Sequence, residues 1–404
     1  MKFFKFLYTY ILVIYSVSLF SQERLKFDHI SIEQGLSQSS IFDIIQDDKG
    51  FLWFATLDGL NRYDGYKMKI YRANPLDTNS IAGNSISSIC EDSYKAGGNV
   101  IWIGTQTQGL CMYNKIENKF INIRHDPNDP SSLCGDNIRS IYVDYNGTLW
   151  VGTTNGLSRL YLEDRKELKF FNYKSNLKDR NSIVSNDIKK IVGDRTGNLW
   201  IGTSEGLSKL NVSRKIISNF KHQILNKKSI ISNKINTLFI DGRNTLWVGT
   251  DKGLEKFDRS KKYFHHYNYK KNVNSISGNY VTSIVEDSKS NLWIGTKKNG
   301  LNKLNKKKNH FYNYRADKNV IGLGINNILS LYFDRSGVLW VGTYLAGVSR
   351  TNELLGVFEV YRNHPYEKNS LSSSLIRSIF EDNEGIFWIG TVDKGLNRWD
   401  IKKV

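Results

Sequence analysis

No stretch of this 404-residue chain carries a convincing apolar period of 3.6, which excludes repeats built on a helix. Cysteine is scarce, with three residues in all. Cys90 and Cys111 fall on the first and third strands of one four-strand unit, about 10 Å apart across the second. That separation exceeds disulfide reach, and Cys134 stands alone in a loop, so no disulfide framework is expected. Long apolar runs are confined to Leu7 to Phe20, preceded by Lys2 and Lys5 and followed by Ser21. This is the pattern of a secretory signal peptide over residues 1–21, too short to read first as a membrane span. An uncleaved anchor is the competing reading. Residues 22–404 are then expected in the periplasm or secreted.

Negative charge is in deficit, with 39 acidic against 57 basic residues and a net charge of +18. Nucleic acid is not the expected partner, because the chain has a secretion signal and lacks a recognition helix. Basic residues gather instead in turns between third and fourth strands, at Arg214-Lys215, Arg259/Lys261/Lys262 and Lys306-Lys307-Lys308. They are either solvated edges or an attraction for a polyanion. Catalytic signatures are absent too. No Gly-x-Ser-x-Gly elbow, phosphate loop or dinucleotide fingerprint occurs. None of the seven histidines has a neighbour at metal spacing.

What the chain does have is one pattern eight times. Tryptophans 53, 102, 150, 200, 247, 293, 340 and 388 sit in copies of Leu-Trp-Ile-Gly-Thr, spaced 46 to 50 residues apart. In the fourth copy, Ile188 to Val192 is β-prone and ends at the turn Asp194-Arg195-Thr196-Gly197. A second strand runs from Asn198 to Thr203, a third from Leu207 to Asn211 and a fourth from Lys215 to Phe220. Four short strands and one tryptophan per unit of this length describe a β-propeller blade, so the fold class is all-β. The glycine after the tryptophan removes a side chain where a neighbouring sheet comes close.

The Asp-x-x-Gly turn recurs at Asp47, Asp144, Asp194, Asp334 and Asp382, degrades at Asp241 and Asp287, and is replaced in the second copy by an insertion, Lys95-Ala96-Gly97-Gly98. One carboxylate per turn falls far short of a calcium site, so no metal or cofactor is expected. The four prolines (Pro75, Pro127, Pro130 and Pro365) fall in loops between blades, leaving every strand ladder intact. Lys26 to Ser31 is a strand without three predecessors, and the chain stops at the third strand of the eighth repeat. The N-terminal strand is therefore expected to close the ring. It completes either blade eight or, because Gly356 to Tyr361 resembles a second such strand, blade seven. In the latter case residues 356–404 begin a second ring.

The opening Phe27-Asp28-His29-Ile30 with Gly35-Leu36-Ser37-Gln38-Ser39-Ser40-Ile41 leads to Gly50-Phe51-Leu52-Trp53. With the Gly-Leu-x-Arg-Tyr-Asp elements and linkers such as Asp126 to Leu133, it resembles the two-component regulator propeller family. The resemblance implies the periplasmic sensor half of a membrane-spanning hybrid histidine kinase, regulating polysaccharide use, with two seven-bladed rings before a small β-sandwich. The kinase segment is not in this chain. The reading is thus a truncated product or a propeller that works with a membrane-bound partner, with a dimer left open.

In a propeller, loops joining strands two and three share a face with loops joining strand four to the next strand one. On the former we place Asp58, Gln106, Gln108, Asn155, Glu205, Asp251, Lys298, Asn299, Tyr344 and Asp393 as ligand-binding candidates. Variable loops over a rigid scaffold commonly carry function. Hydroxyls, amides and carboxylates suit sugar hydroxyls, and Tyr344 offers a ring to a pyranose face. The expected function is oligosaccharide sensing without catalysis. The alternatives are a protein-interaction propeller and, behind it, a polysaccharide lyase or hydrolase.

Overall fold

The computed structural model describes residues 25–400 except 93–98, 162, 212, 214–216, 272–273, 308, 317–321, 352–360 and 364–368. The signal segment, the insertion Lys95 to Gly98, Arg214-Lys215, Lys308, Pro365 and most of the strand-like stretch Gly356 to Tyr361 lie outside the described residues. The chain forms two compact units, Met1–Asn352 and Glu353–Val404.

The first unit holds seven four-stranded antiparallel sheets, each with its strands side by side in the order first to fourth. Blade 4 is representative: Ile188–Gly193, Leu199–Thr203, Gly206–Leu210 and Ile217–Phe220. The first strands of successive blades pack on one another, and that of blade 7 (Ile328–Phe333) packs on that of blade 1 (Ile41–Gln46). Ser330 Oγ donates to the Ile41 carbonyl at 2.9 Å, and the Arg335 guanidinium to the Asp47 and Asp48 carbonyls at 2.7 and 2.9 Å. Seven blades close the ring. The fourth strand of blade 7 is Asp28–Ile30, paired antiparallel with Val348–Thr351 through His29 and Ser349. The eight-bladed arithmetic fails because the N-terminal strand satisfies the edge of blade 7 and blade 1 covers that blade's face.

Each second strand is buried on both sides, and the five largest fully buried side chains are Trp53, Trp102, Trp150, Trp200 and Trp247. An indole N–H placed there needs a partner. In seven repeats it is the turn aspartate, from Asp47 for Trp53 at 2.9 Å to Asp382 for Trp388 at 2.7 Å, and in the second it is Asp92 at the end of the first strand, 3.0 Å from Trp102. The other carboxylate oxygen accepts backbone N–H groups of its own turn, as Asp194 does from Thr196 and Asn198. The turn closes on a residue with positive φ: Gly197 at 81°, and at the degraded copies Asn244 at 62° and Ser290 at 64°. The aspartate is therefore a structural acceptor that ties turn to core. Across the strand, a basic residue lies opposite most tryptophans in register, such as Lys209 on Trp200, with its ammonium 5.4 Å from the ring.

The glycine of Leu-Trp-Ile-Gly-Thr fits the close approach inferred for it. A Cβ on Gly202 would stand 2.6 Å from Ile235 of the next blade, and one on Gly342 would stand 2.9 Å from Ile41. Blade 1 carries Ala55 at this place.

The second unit contains a three-stranded sheet of Ile376–Glu381, Ile386–Thr391 and Leu396–Asp400. No fourth strand joins it among the described residues.

Candidate functional site

Backbone hydrogen bonds establish which loops share a face. The N–H groups of Gln106, Thr154, Ser204, Lys297 and Tyr344, in loops between second and third strands, donate to Ser85, Asn137, Asp187, Tyr280 and Asn327. Those carbonyls immediately precede their own blade's first strand. A second N–H from such a loop, as at Gly109 or Gly156, reaches the next blade's linker at Asp136 or Asn186. The loops of blades 2, 3, 6 and 7 are thus clamped between two linkers, giving a stiff face with variable side chains.

The ten candidates have different situations on it. Asp58 is held by the Arg72 guanidinium at 2.8 Å, and Gln108 accepts a bond from Arg124. Asn155 donates to the Cys134 carbonyl at 2.9 Å, and Asp251 accepts from Ser232 at 2.5 Å. The Asn299 carbonyl receives the Ser277 hydroxyl at 2.8 Å. Gln106 is half-buried. Glu205 and Lys298 are exposed, and Tyr344 is 42% exposed. Asp393 belongs to the second unit, so the face of the ring gathers the other nine.

Two further circles of residues border the mouth of the central channel. One is the position just before each first strand: Ser40, Ser85, Asn137, Asp187, Lys234, Tyr280 and Asn327. The other is the second residue of each first strand, where a β-bulge leaves one residue unpaired: Phe42, Ser87, Arg139, Lys189, Asn236, Thr282 and Leu329. Side chains here reach the next blade, as Ser87 Oγ does to the Ile138 carbonyl at 2.7 Å and Asn236 Nδ2 to Val281 at 3.0 Å. The only sequence signal was the invariant buried aliphatic residue before each. Several acceptors around this mouth are shielded and have no hydrogen-bond partner in the protein: Asn137 Oδ1, Asp187 Oδ1, Asn327 Oδ1 and Thr282 Oγ1. Buried polar atoms are normally satisfied, and ordered water is a usual partner where the protein supplies none.

The opposite rim uses its charge internally. Arg259 of blade 5 reaches back to Asp194 of blade 4 at 2.9 Å. Lys306 of blade 6 bridges Asp241 and Glu286 at 3.0 and 2.6 Å. Arg165 does the same to Asp92 at 2.5 Å. These basic turn residues are inter-blade staples, which neither sequence reading anticipated. Burial alone would raise the Asp194 carboxyl, but hydrogen bonds from Thr196, Trp200 and Asn198 outweigh it and hold it at about 2. Burial pushes the Cys90 thiol up to about 12, consistent with an inert core cysteine.

Several described histidines bind the chain itself: His29 meets Ser349, and His125 and His222 bond the Leu133 and Ile230 carbonyls. His266 lies 3.3 Å from Glu255, a fully buried carboxylate of blade 5 that accepts the Ile231 N–H. Among the described residues no group of three His, Cys, Asp or Glu side chains could hold a metal ion.

The sequence profile described as Two component regulator propeller matches residues 35–58, 132–155, 182–205, 229–252, 275–298, 322–345 and 370–393. It omits the second copy, which carries the insertion Lys95 to Gly98. One segment of 48 residues is 60% identical to Histidine kinase P4 of Formosa agariphila, covering 12% of this chain and 4% of that protein. The extracellular domain of a hybrid two component system of B. thetaiotaomicron is similar over 93% of this chain and 48% of its own, at 29% identity and TM-score 0.71. A second extracellular domain from that organism, of a one component system, is 22% identical over 94% of this chain and 53% of its own, at TM-score 0.65. The chain thus spans about half the length of these domains. It belongs to the two component regulator propeller family.

Proposed function

We propose that this member of the two component regulator propeller family is an extracytoplasmic sensing module that binds an oligosaccharide on its clamped loop face. The observation that carries the reading is the construction of that face. Variable polar side chains and unpartnered acceptors stand on loops tied to the linkers, four of the seven from both sides, so a ligand meets a pre-organised surface and pays little ordering entropy. Acceptors that lack protein donors suit a ligand rich in hydroxyl groups. The likeness to extracellular domains of bacterial regulatory systems supports the location and the sensing role. On this reading the signal passes to a membrane-bound partner or a kinase region, and the sheet of residues 376–400 is the first blade of a second ring. Binding proceeds without catalysis.

The test is a thermal-shift screen of the protein against an oligosaccharide library, with each stabilising ligand analysed by chromatography afterwards. Specific stabilisation with intact ligand is the expected result, since a ligand that binds only the folded state raises its stability. Stabilisation accompanied by cleaved ligand would replace the sensor with an enzyme. A folded protein that responds to no sugar would overturn the reading.

A further inference from the structure

We infer that the ligand is an acidic oligosaccharide, its carboxylate or sulfate groups held by the arc of blades 3 to 5 and its apolar sugar face by blades 7 and 1. This deepens the oligosaccharide reading and rests on it.

The ring order makes the argument. At the channel mouth, consecutive blades 3, 4 and 5 present Arg139, Lys189 and Lys234. Blades 7 and 1, which touch each other across the ring seam, present half-buried Leu329 and Phe42 at the bulge position that Arg139 and Lys189 hold in blades 3 and 4, whereas Lys234 stands just before its first strand. In a ring of seven, blade 4 stands opposite that seam. Above it the loop of blade 7 carries Tyr344 and Leu345, 42% and 60% exposed, and that of blade 1 carries Leu57 at 37%. Blades 3 to 5 bring cations to the mouth and blades 7 and 1 aromatic and aliphatic side chains, while blade 6 between them carries exposed Lys297 and Lys298 beside Tyr280.

The cations on this face differ from those on the far rim. There, Arg165, Arg259 and Lys306 are consumed by inter-blade carboxylates. Here, Arg139 is exposed and has no ion-pair or hydrogen-bond partner among the described residues, and Lys234 is exposed with only its backbone N–H engaged. Lys189 pairs with Asp187 at 2.7 Å, each side chain about a third exposed. Carboxylates of the face include Asp58, bound by Arg72, Asp251, bound to Ser232, exposed Glu205, and the linker residues Asp136 and Asp179, which accept backbone N–H groups of His125 and Asn181. Blades 3 to 5 therefore keep Arg139 and Lys234 as uncommitted charge.

A planar guanidinium receives a carboxylate or sulfate through two parallel N–H bonds, and the lysines add point charges beside it. The C–H face of a pyranose is apolar and matches Tyr344 and Phe42. A neutral sugar would use the second half and leave the first idle. An acidic peptide would use the first, without needing the unpartnered acceptors.

Calorimetric titration of the full chain decides it. The probes are uronate- and sulfate-bearing oligosaccharides, their carboxyl-reduced and desulfated counterparts, and polyglutamate. The expected result is an acidic binder whose neutralised counterpart binds about tenfold more weakly, and whose affinity falls with salt. Arg139→Ala with Lys234→Ala should cost about tenfold, with unchanged melting temperature and partial rescue by Arg139→Lys. Lys307→Ala on the far rim should cost less than about twofold. Which probes bind separates a carboxylate from a sulfate ligand. Equal binding of neutral and acidic sugars, or indifference to the double variant, would overturn the acidic inference and leave the sugar reading standing. Binding of polyglutamate as tight as that of acidic sugars, or of no sugar at all, would overturn both.

Discussion

Blade 4 and the sheet of residues 376–400 share the same repeat yet are buried differently. Ile191 is 2% exposed and its counterpart Ile379 is 63%; Leu207 is 0% and Leu396 is 64%. The bond from indole to turn aspartate is nonetheless present in both, at 2.9 Å for Trp200 and 2.7 Å for Trp388. A turn and its tryptophan are separated by six residues, so a single repeat can form that contact. Covering the apolar faces needs a blade on either side. Repeat architectures divide their stability in this way, between the unit and its interfaces.

The largest test of that division is tryptophan removal. Trp200→Ala should cost about 3–5 kcal/mol and lower the midpoint of urea unfolding markedly. Trp388→Ala, at a half-buried ring, should shift the main transition little. Equal costs would mean that the 376–400 sheet is covered as blade 4 is.

Next is the turn carboxylate. Asp194→Ala strands the Trp200 indole and the Arg259 guanidinium, for about 2–3 kcal/mol at neutral pH. The folded-state pKa of Asp194, about 2, lies below its unfolded value. Its stabilisation is thus fully present above the unfolded pKa, near pH 4, and is lost as pH falls through about 2. The stability gap between the protein and Asp194→Asn should close over that window. Asp382 is also held low, chiefly by the Trp388 indole, but it is half-buried and belongs to the second unit, so Asp382→Asn should leave the main transition unmoved.

Glycine substitution is the third comparison. Gly202→Ala drives a Cβ to 2.6 Å from Ile235 and should cost about 1–3 kcal/mol in the melting curve. The natural Ala55 of blade 1 indicates the lower part of that range. Gly390→Ala meets only the Ser378 hydroxyl at 2.5 Å, a side chain able to rotate, with the next atom at 3.8 Å, and should stay within about 0.5 kcal/mol. The smallest effect compares two turns. Ser290 holds φ of 64° where blade 4 has Gly197, so Ser290→Gly should stabilise by a few tenths to about 1 kcal/mol.

Much of the fold was legible from the repeat itself. The four strands of blade 4 lie within two residues of their expected ends, because hairpin turns and apolar alternation act over a few residues. The Asp-x-x-Gly turn was legible as a turn, but its bond to the tryptophan was not read. The spacing of six could have shown it, since a buried indole N–H always needs an acceptor. The loop face was legible from propeller topology. The state of its side chains was not: Asn155 and Asp251 are engaged by groups about twenty residues away, in another loop.

The sequence by itself determined the all-β blade, its length, its internal hairpins and its tightest turns, because those interactions close within one repeat. Only the tertiary structure decided the rest. A strand such as Asp28–Ile30 offers a generic row of N–H and C=O groups, and the packing of blade 1 on blade 7 selects which edge it joins. Arg259 and Lys306 look like any surface cation until blades bring carboxylates 65 residues away within 3.0 Å. Whether a charge is spent or left free on the loop face depends on that encounter between blades, and local sequence carries no record of it.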